Sequence, residues 1–491
     1  MLNYIVIVLY CGSLFFIFLF SMGQLHLAWH YLKSKKNKKG SAQADVPVME
    51  SWPMVTVQLP IYNEKYVVQR LIDAVCRFDY PVSQLEIQVL DDSTDETVEI
   101  IKEKVEQWRS RGINIHHTRR KKREGFKAGA LQYGLEASKG EFIAIFDSDF
   151  LPREDFLKRT LPQFSPGVGL VQTRWGHINR DYSMLTQLQA FGLDAHFSVE
   201  QTGRNHAGSF INFNGTGGVW RKSTILDAGG WSADTLTEDL DLSYRAQVKG
   251  WKFRYLEDCV APAELPVIMP AIKSQQYRWN KGAAETAKKN LPRVLSSPGI
   301  KFTSKVHAIF HLFNSSVFVC LLLASLLSIP MLFIKDANPG LGVLFDLGSI
   351  FLIGFFSIAF FYWVASKGLY PQGTFRYYSR IFPTFLIVSM GLSLHNGLAV
   401  LEGLLGKKSP FIRTPKFNIT KKGDSWKGNV YIRPSWSWLT VMEGLLSLYF
   451  IAGIAVGIYL HDWGLIVFHL MLALGFGSVF YYSIKPFSYG N

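Results

Sequence analysis

Long apolar runs, and the basic residues beside them, constrain this chain more than any other feature. Residues 4–29 form the first run, long enough as a helix to cross about 30 Å of hydrocarbon. Lys33, Lys35, Lys36, Lys38 and Lys39 follow it directly. A cleaved signal carries its positive charge first, so residues 1–32 read as a transmembrane signal anchor and 33–52 as a basic linker. The domain that follows is then expected on the cytoplasmic side. Apolar runs return near 306–333, 341–365, 382–405, 438–460 and 463–484.

Charge limits how many of these cross. One basic loop holds Lys367, Arg376 and Arg380; another holds Lys407, Lys408, Arg413, Lys416, Lys421, Lys422 and Lys427. Both belong on the cytoplasmic side, which fails if the run between them crosses once. Segment 382–405, with His395, Asn396 and Glu402, is therefore expected to be interfacial or re-entrant. The membrane domain, residues 301–491, then has four spans and the chain five, an integral multi-pass protein whose first partner is the lipid bilayer. A hydrophobic content of 48%, with 37 Phe and 13 Trp, agrees with burial in lipid. The net charge of +14 suits a membrane surface and a phosphate-bearing substrate. Nucleic acid would attract the same charge, but the cations cluster beside apolar segments and no nucleic-acid-binding signature is present, so no such partner is expected. Cys11, Cys76, Cys259 and Cys320 are too scattered for a disulfide framework or a zinc site.

Residues 53–300 have α/β grammar, with short apolar runs ending in polar residues between helical stretches. MVTVQLP, LEIQVL and EFIAIF read as strands that are apolar nearly throughout, as parallel strands covered on both faces are. KYVVQRLIDAV and DETVEIIKEKVEQWRSRG read as helices. In an open parallel sheet, ligands bind beyond the carboxyl ends of the strands. Those ends carry Tyr62, Asn63 and Glu64; Asp91 and Asp92; and Asp147, Ser148 and Asp149. One polar cluster is readily a helix cap; three at three strand ends point to a site. Asp147 and Asp149 offer two hard oxygen ligands, suited to Mg²⁺ or Mn²⁺ also held by substrate phosphates. Thr237-Glu238-Asp239 opens a helical segment, where an acid also complements the positive helix end. Gln275, Arg278 and Trp279 form a QxxRW cluster.

Through VQLPIYNE, QVLDDSTDET, KAGAL, FDSDF, FNGTGGVWR, LTEDLDLSYRAQVKGW and QQYRWNKG, in that order, most of the chain resembles the family 2 processive glycosyltransferases, in particular cellulose-synthase-like mannan and glucan synthases. The resemblance implies a GT-A fold, a divalent cation, inversion at the sugar carbon, a nucleotide-sugar donor and a polysaccharide acceptor. It implies that Asp147 and Asp149 hold the metal, Lys127 and Arg278 face the donor diphosphate, and Tyr62, Glu64 and Asp91 hold the nucleoside. Asp239 is then the general base, Gln275 belongs to the substrate-binding QxxRW cluster, and Trp279 stacks on the terminal acceptor sugar. Phe411, Thr414 and Lys416 in FIRTPK resemble the FxVTxK gating loop, with Arg413 in place of Val, inside a loop of residues 406–437. The donor is expected to be GDP-mannose or UDP-glucose, with transfer coupled to translocation and accessory export proteins as further partners. The competing readings are a non-processive lipid glycosyltransferase acting on ceramide or a polyprenyl phosphate, and a nucleotide-sugar binder without turnover. Four further spans and the loop speak against the first, the TED base and QxxRW against the second.

Overall fold

The computed structural model describes residues 1–40, 49, 51–338, 340, 350–409, 412–431 and 437–485. Among these residues one sheet has seven strands: β1 (Val55–Ile61), β2 (Leu85–Asp91), β3 (Ile115–Arg119), β4 (Phe142–Ile145), β5 (Val168–His177), β6 (Gly218–Arg221) and β7 (Lys252–Ala263). They lie in the order β3-β2-β1-β4-β6-β5-β7. On one face Val57, Leu59, Ile87 and Val89 pack with Leu71, Ile72 and Val75 of α2 (Val68–Cys76) and with Ile101 and Val105 of α3 (Thr97–Arg109). Helix α1 spans Leu2–Gly40 and precedes the sheet. On the other face Leu90, Ile143 and Ile145 pack with Leu131 and Leu135 of α4 (Phe126–Ala137).

The central strands are less apolar than expected. Thr56 Oγ1 donates to Glu86 at 2.6 Å and Gln58 Nε2 to Gln88 Oε1 at 3.1 Å, both pairs buried. Left unpaired, each such group would cost about 1–3 kcal/mol, so the rungs fix the register of β1 against β2. The sheet is also mixed. β6 runs antiparallel to both β4 and β5, while the other pairings are parallel. Because β6 is reversed, its start, preceded by Asn214 and Gly215, lies at the carboxyl end of β4.

Among the described residues, five helical stretches are long and apolar enough to cross a membrane: Leu2–Asn37, Ser316–Ala337, Phe351–Leu369, Trp438–Tyr459 and Ile466–Ile484. Helix α1 continues through the lysines to Gly40, so 33–40 is helical rather than a linker. Phe356, Leu448 and Val467 point outward and exposed, as lipid-facing side chains do. Gly391 and Gly475 let two helices touch at the backbone; a Cβ on Gly391 would meet the Gly475 carbonyl oxygen at 2.2 Å.

Thr374–Gly391 and Ser393–Leu404 form a pair bent by 52°. The second limb turns its polar groups onto the helix Met269–Ser296: Asn396 donates to Gln276 Oε1 at 2.8 Å, His395 Nε2 meets the Lys273 carbonyl at 2.9 Å, and Glu402 pairs with Tyr277. Buried Lys273 and Glu443 pair at 2.6 Å beside it. Both flanks of the bent pair touch the sheet domain. Before it, Tyr370 donates to Asp194 at 2.7 Å. After it, Lys416 pairs with Asp149 at 2.6 Å.

Candidate active site

Three parallel strands, β1, β2 and β4, end by delivering polar side chains to one cleft. Tyr62 and Glu64 come from β1, and Asp92 from β2. Asp147, Ser148 and Asp149 follow β4. Lys127 arrives on the first turn of α4, behind Gly125 in the left-handed region. Glu238 and Asp239 open the helix Glu238–Val248, and Gln275, Arg278 and Trp279 lie on Met269–Ser296. Arg413, Thr414 and Lys416 close the cleft from the loop after the bent pair. Phe411 lies outside the described residues.

Asp91 does not line the cleft. It is buried behind the wall, accepting from the Ser93 amide at 2.8 Å and meeting His117 Nε2 at 2.8 Å. Burial alone would raise its carboxyl; the bonds from His117 and Ser93 outweigh that and hold it below the usual range. Asp92, the residue that follows β2, lines the cleft and takes the Arg120 guanidinium in a fork of 2.9 and 2.5 Å.

The remaining charges interlock. Lys127 Nζ lies 2.6 Å from Asp147 Oδ1, 2.8 Å from the Gly215 carbonyl and 4.0 Å from Glu238. Burial would lower its ammonium, but Asp147 and Glu238 raise it above its ordinary value, so it stays charged. Lys416 Nζ pairs with Asp149 at 2.6 Å, and Arg413 with Glu64 at 2.6 Å. Burial pushes the Glu64 carboxyl up to about 7, against the lowering pull of Arg413 and Lys416. The loop is pinned through Glu264, which accepts from Arg70 at 2.6 Å and from the Phe417 and Ile419 amides at 3.0 and 3.2 Å.

Asp239 differs from an ordinary helix-capping acid. A cap lowers a carboxyl. Here burial first, and the Glu238 carboxylate second, push Asp239 up to about 7, although Lys127 and the Leu240 amide pull it down. One oxygen accepts from Leu240 N at 2.8 Å. The other stands over Gly215, where an added Cβ would meet it at 2.9 Å; only glycine fits at φ 79°. A buried carboxyl titrating near neutrality is suited to accept a proton.

Further cleft residues had no role in the sequence reading. Arg123 lies 3.4 Å over the Tyr62 ring. Trp175 packs 6.5 Å from Trp279 and stacks on Phe197 at 4.7 Å. Asn214 lies within the FNGTGG stretch, the one signal that could have marked it. Among the described residues no group of three or more His, Cys, Asp or Glu side chains is placed to hold a metal ion. Asp147 and Asp149 are a hard-oxygen pair at one strand end, each within 2.6 Å of an ammonium, a site built to hold positive charge. A cation there would complete its shell with phosphate oxygens and water. The four cysteines are free thiols.

Residues 53–282 match the model of the glycosyltransferase-like family 2. The chain is 36% identical over 396 residues to glucomannan 4-beta-mannosyltransferase 2 of Arabidopsis thaliana, covering 77% of this chain and 70% of that protein. It is 35% identical over 425 residues to glucomannan 4-beta-mannosyltransferase 1 of Oryza sativa subsp. japonica, covering 82% and 77%. Its fold is similar to a mannosyltransferase from Pyrobaculum calidifontis solved with GDP-Man and Mn²⁺, at a TM-score of 0.54 and 19% identity, over 83% of this chain and 100% of that one. A GT-A sheet with its acids at the strand ends, joined to long apolar helices, thus belongs to a family 2 glycosyltransferase of the cellulose-synthase-like kind.

Proposed function

We propose that the protein transfers a hexose, mannose from GDP-mannose or glucose from UDP-glucose, to the end of a β-linked polysaccharide, with inversion and coupled to passage through the membrane domain. The observation that carries this reading is Asp239, a raised carboxyl facing the same cleft as Lys127, Arg278 and the Trp175–Trp279 pair. The acceptor hydroxyl oxygen attacks the anomeric carbon, the bond from that carbon to the diphosphate breaks, and the proton passes to Asp239. Lys127 and Arg278 meet the charge that develops on the diphosphate. Tyr62, Glu64 and Asp92 hold the nucleoside, Asp92 taking the place first given to Asp91. Trp279 and Trp175 offer flat apolar faces to a pyranose.

Asp147 and Asp149 hold Mg²⁺ or Mn²⁺, which when bound supplies Lewis-acid charge to the leaving diphosphate. The likeness to glucomannan mannosyltransferases favours mannose. Membranes carrying the protein are expected to convert radiolabelled GDP-mannose, or UDP-glucose, into a polymer insoluble in organic solvent and cut by a β-mannanase or β-glucanase. Label that partitions into organic solvent would replace this reading with a lipid glycosyltransferase.

The bent pair does not cross the membrane in this proposal. The flanking contacts of Tyr370 and Lys416 with the catalytic domain support it, and so do the two basic loops. Single cysteines placed at Gly373 and Gly423 are expected to label from the same side of sealed vesicles, the side of the catalytic domain. Labelling from opposite sides would make the pair a sixth span.

A further inference from the structure

Between the helix Met184–Ala195 and the short helix Gln201–His206, the backbone winds through a π-helical turn at His196–Glu200. Such turns interrupt a helix at a cost and recur at functional sites. This one brings His196 against Asn214, the cleft residue that precedes Gly215, over which Asp239 stands.

Hydrogen-bond directions here follow from one fixed point. The Asn212 carbonyl can only accept, so Gln201 Nε2, 3.1 Å away, is a donor. The same nitrogen lies 2.7 Å from Asn214 Oδ1, which turns the Asn214 amide nitrogen toward His196 Nε2 at 3.2 Å. Nε2 must therefore accept, which leaves the imidazole proton on Nδ1. Nδ1 in turn lies 2.8 Å from Glu200 Oε2, and Arg204 holds that oxygen at 3.2 Å. Burial would raise Glu200, but Arg204 and His196 take it down to about 2, so it remains an anion that keeps the tautomer. Asn214 is left with one N–H and one lone pair for a ligand.

We infer that His196, set by Glu200, is a positioning residue that orients the Asn214 amide toward hydroxyls of the acceptor sugar. The placement assigns it to the acceptor: Asn214 precedes Gly215, over which the base stands, and Phe197, next to His196, stacks on Trp175, which lines the cleft beside Trp279. The nucleoside end of the cleft, at Tyr62 and Glu64, is reached by none of these groups in the contacts above. This inference rests on the transferase reading.

Donor and a β-linked oligosaccharide acceptor are titrated separately with the full-length protein in membranes. His196→Leu is expected to raise the acceptor KM about tenfold, the effect of one hydrogen bond, with the donor KM unchanged. His196→Gln keeps an accepting oxygen and is expected to restore the acceptor KM to within about threefold. An unchanged acceptor KM in His196→Leu overturns the inference. So does a parallel rise in both KM values that His196→Gln fails to reverse, since that marks general damage. Nitrogen-15 spectra of histidine-labelled protein test the relay without turnover: an Nδ1–H imidazole lost in His196→Gln is expected, and an Nε2–H tautomer at that position overturns it. Wild-type protein that transfers no hexose would reject the activity while the spectra still decide the tautomer.

Discussion

Asp239→Asn is expected to bind donor as the parent does and to turn over about 100-fold to 10,000-fold more slowly, the usual range for a lost general base. Asparagine keeps the size of the side chain and still accepts from Leu240 N, but it takes no proton. If Asp239 only complemented the helix end, the same change would be nearly silent, since Asn caps about as well as Asp. The pH profile supplies a second reading. The active form is the carboxylate, and burial with Glu238 raises Asp239 to about 7. The rate should therefore fall about tenfold per unit as pH drops below that value, and level off above it. Lys127 lowers Asp239 through its charge, so Lys127→Met should move this acid limb to higher pH. Nucleotide release with acceptor present, measured beside donor binding from pH 5 to 9, checks both. Retention of more than about a tenth of the parental rate removes Asp239 from the base role.

What was legible in the sequence follows from which physical rules act locally. Buried parallel strands ending in polar clusters are a local pattern, so Glu64, Asp147 and Asp149 could be read directly, and the fold class with them. Asp91 and Asp92 show the limit of that rule. Adjacent strand residues face opposite sides, and period alone does not say which side meets the cleft. Asp91 is held behind the wall by Ser93 and His117, and Asp92, forked by Arg120, is the one that lines the cleft. Asn214 and Trp175 were missed because their roles depend on β6, a strand of four residues running against its neighbours, and on β5, neither of which was read from the sequence. Arg413 looked like a simple departure from the loop pattern. Its partner, Glu64, lies hundreds of residues earlier, and the 2.6 Å pair turns the departure into a charge match. The loop basicity that marked the membrane sides also supplies Lys416 to Asp149, so one set of charges serves two ends that spacing alone could not separate.

Asp149→Asn should lose about a thousandfold or more in transfer and, in the same preparation, lose binding of Mn²⁺ read by electron paramagnetic resonance in the presence of nucleoside diphosphate. Asp149 is buried, and its partner Lys416 sits in the loop that Glu264 anchors, so replacing it with the isosteric amide removes a negative charge without opening a cavity. A neutral amide is a far weaker ligand for a hard divalent cation than a carboxylate. Loss of Lewis-acid charge on a leaving group is worth several kcal/mol, and about 4 kcal/mol corresponds to a thousandfold. Asp147→Asn should lose less, because Lys127, which pairs with Asp147, stays beside Glu238 and Asp239 and still faces the diphosphate. Lys416→Met is the control: it removes the ammonium facing Asp149 but no oxygen ligand, so Mn²⁺ should bind at least as well as to the parent. EDTA should silence the parent, and added Mn²⁺ or Mg²⁺ should restore it. Parental activity after chelation, or parental Mn²⁺ binding in Asp149→Asn, would take the metal away from this strand end.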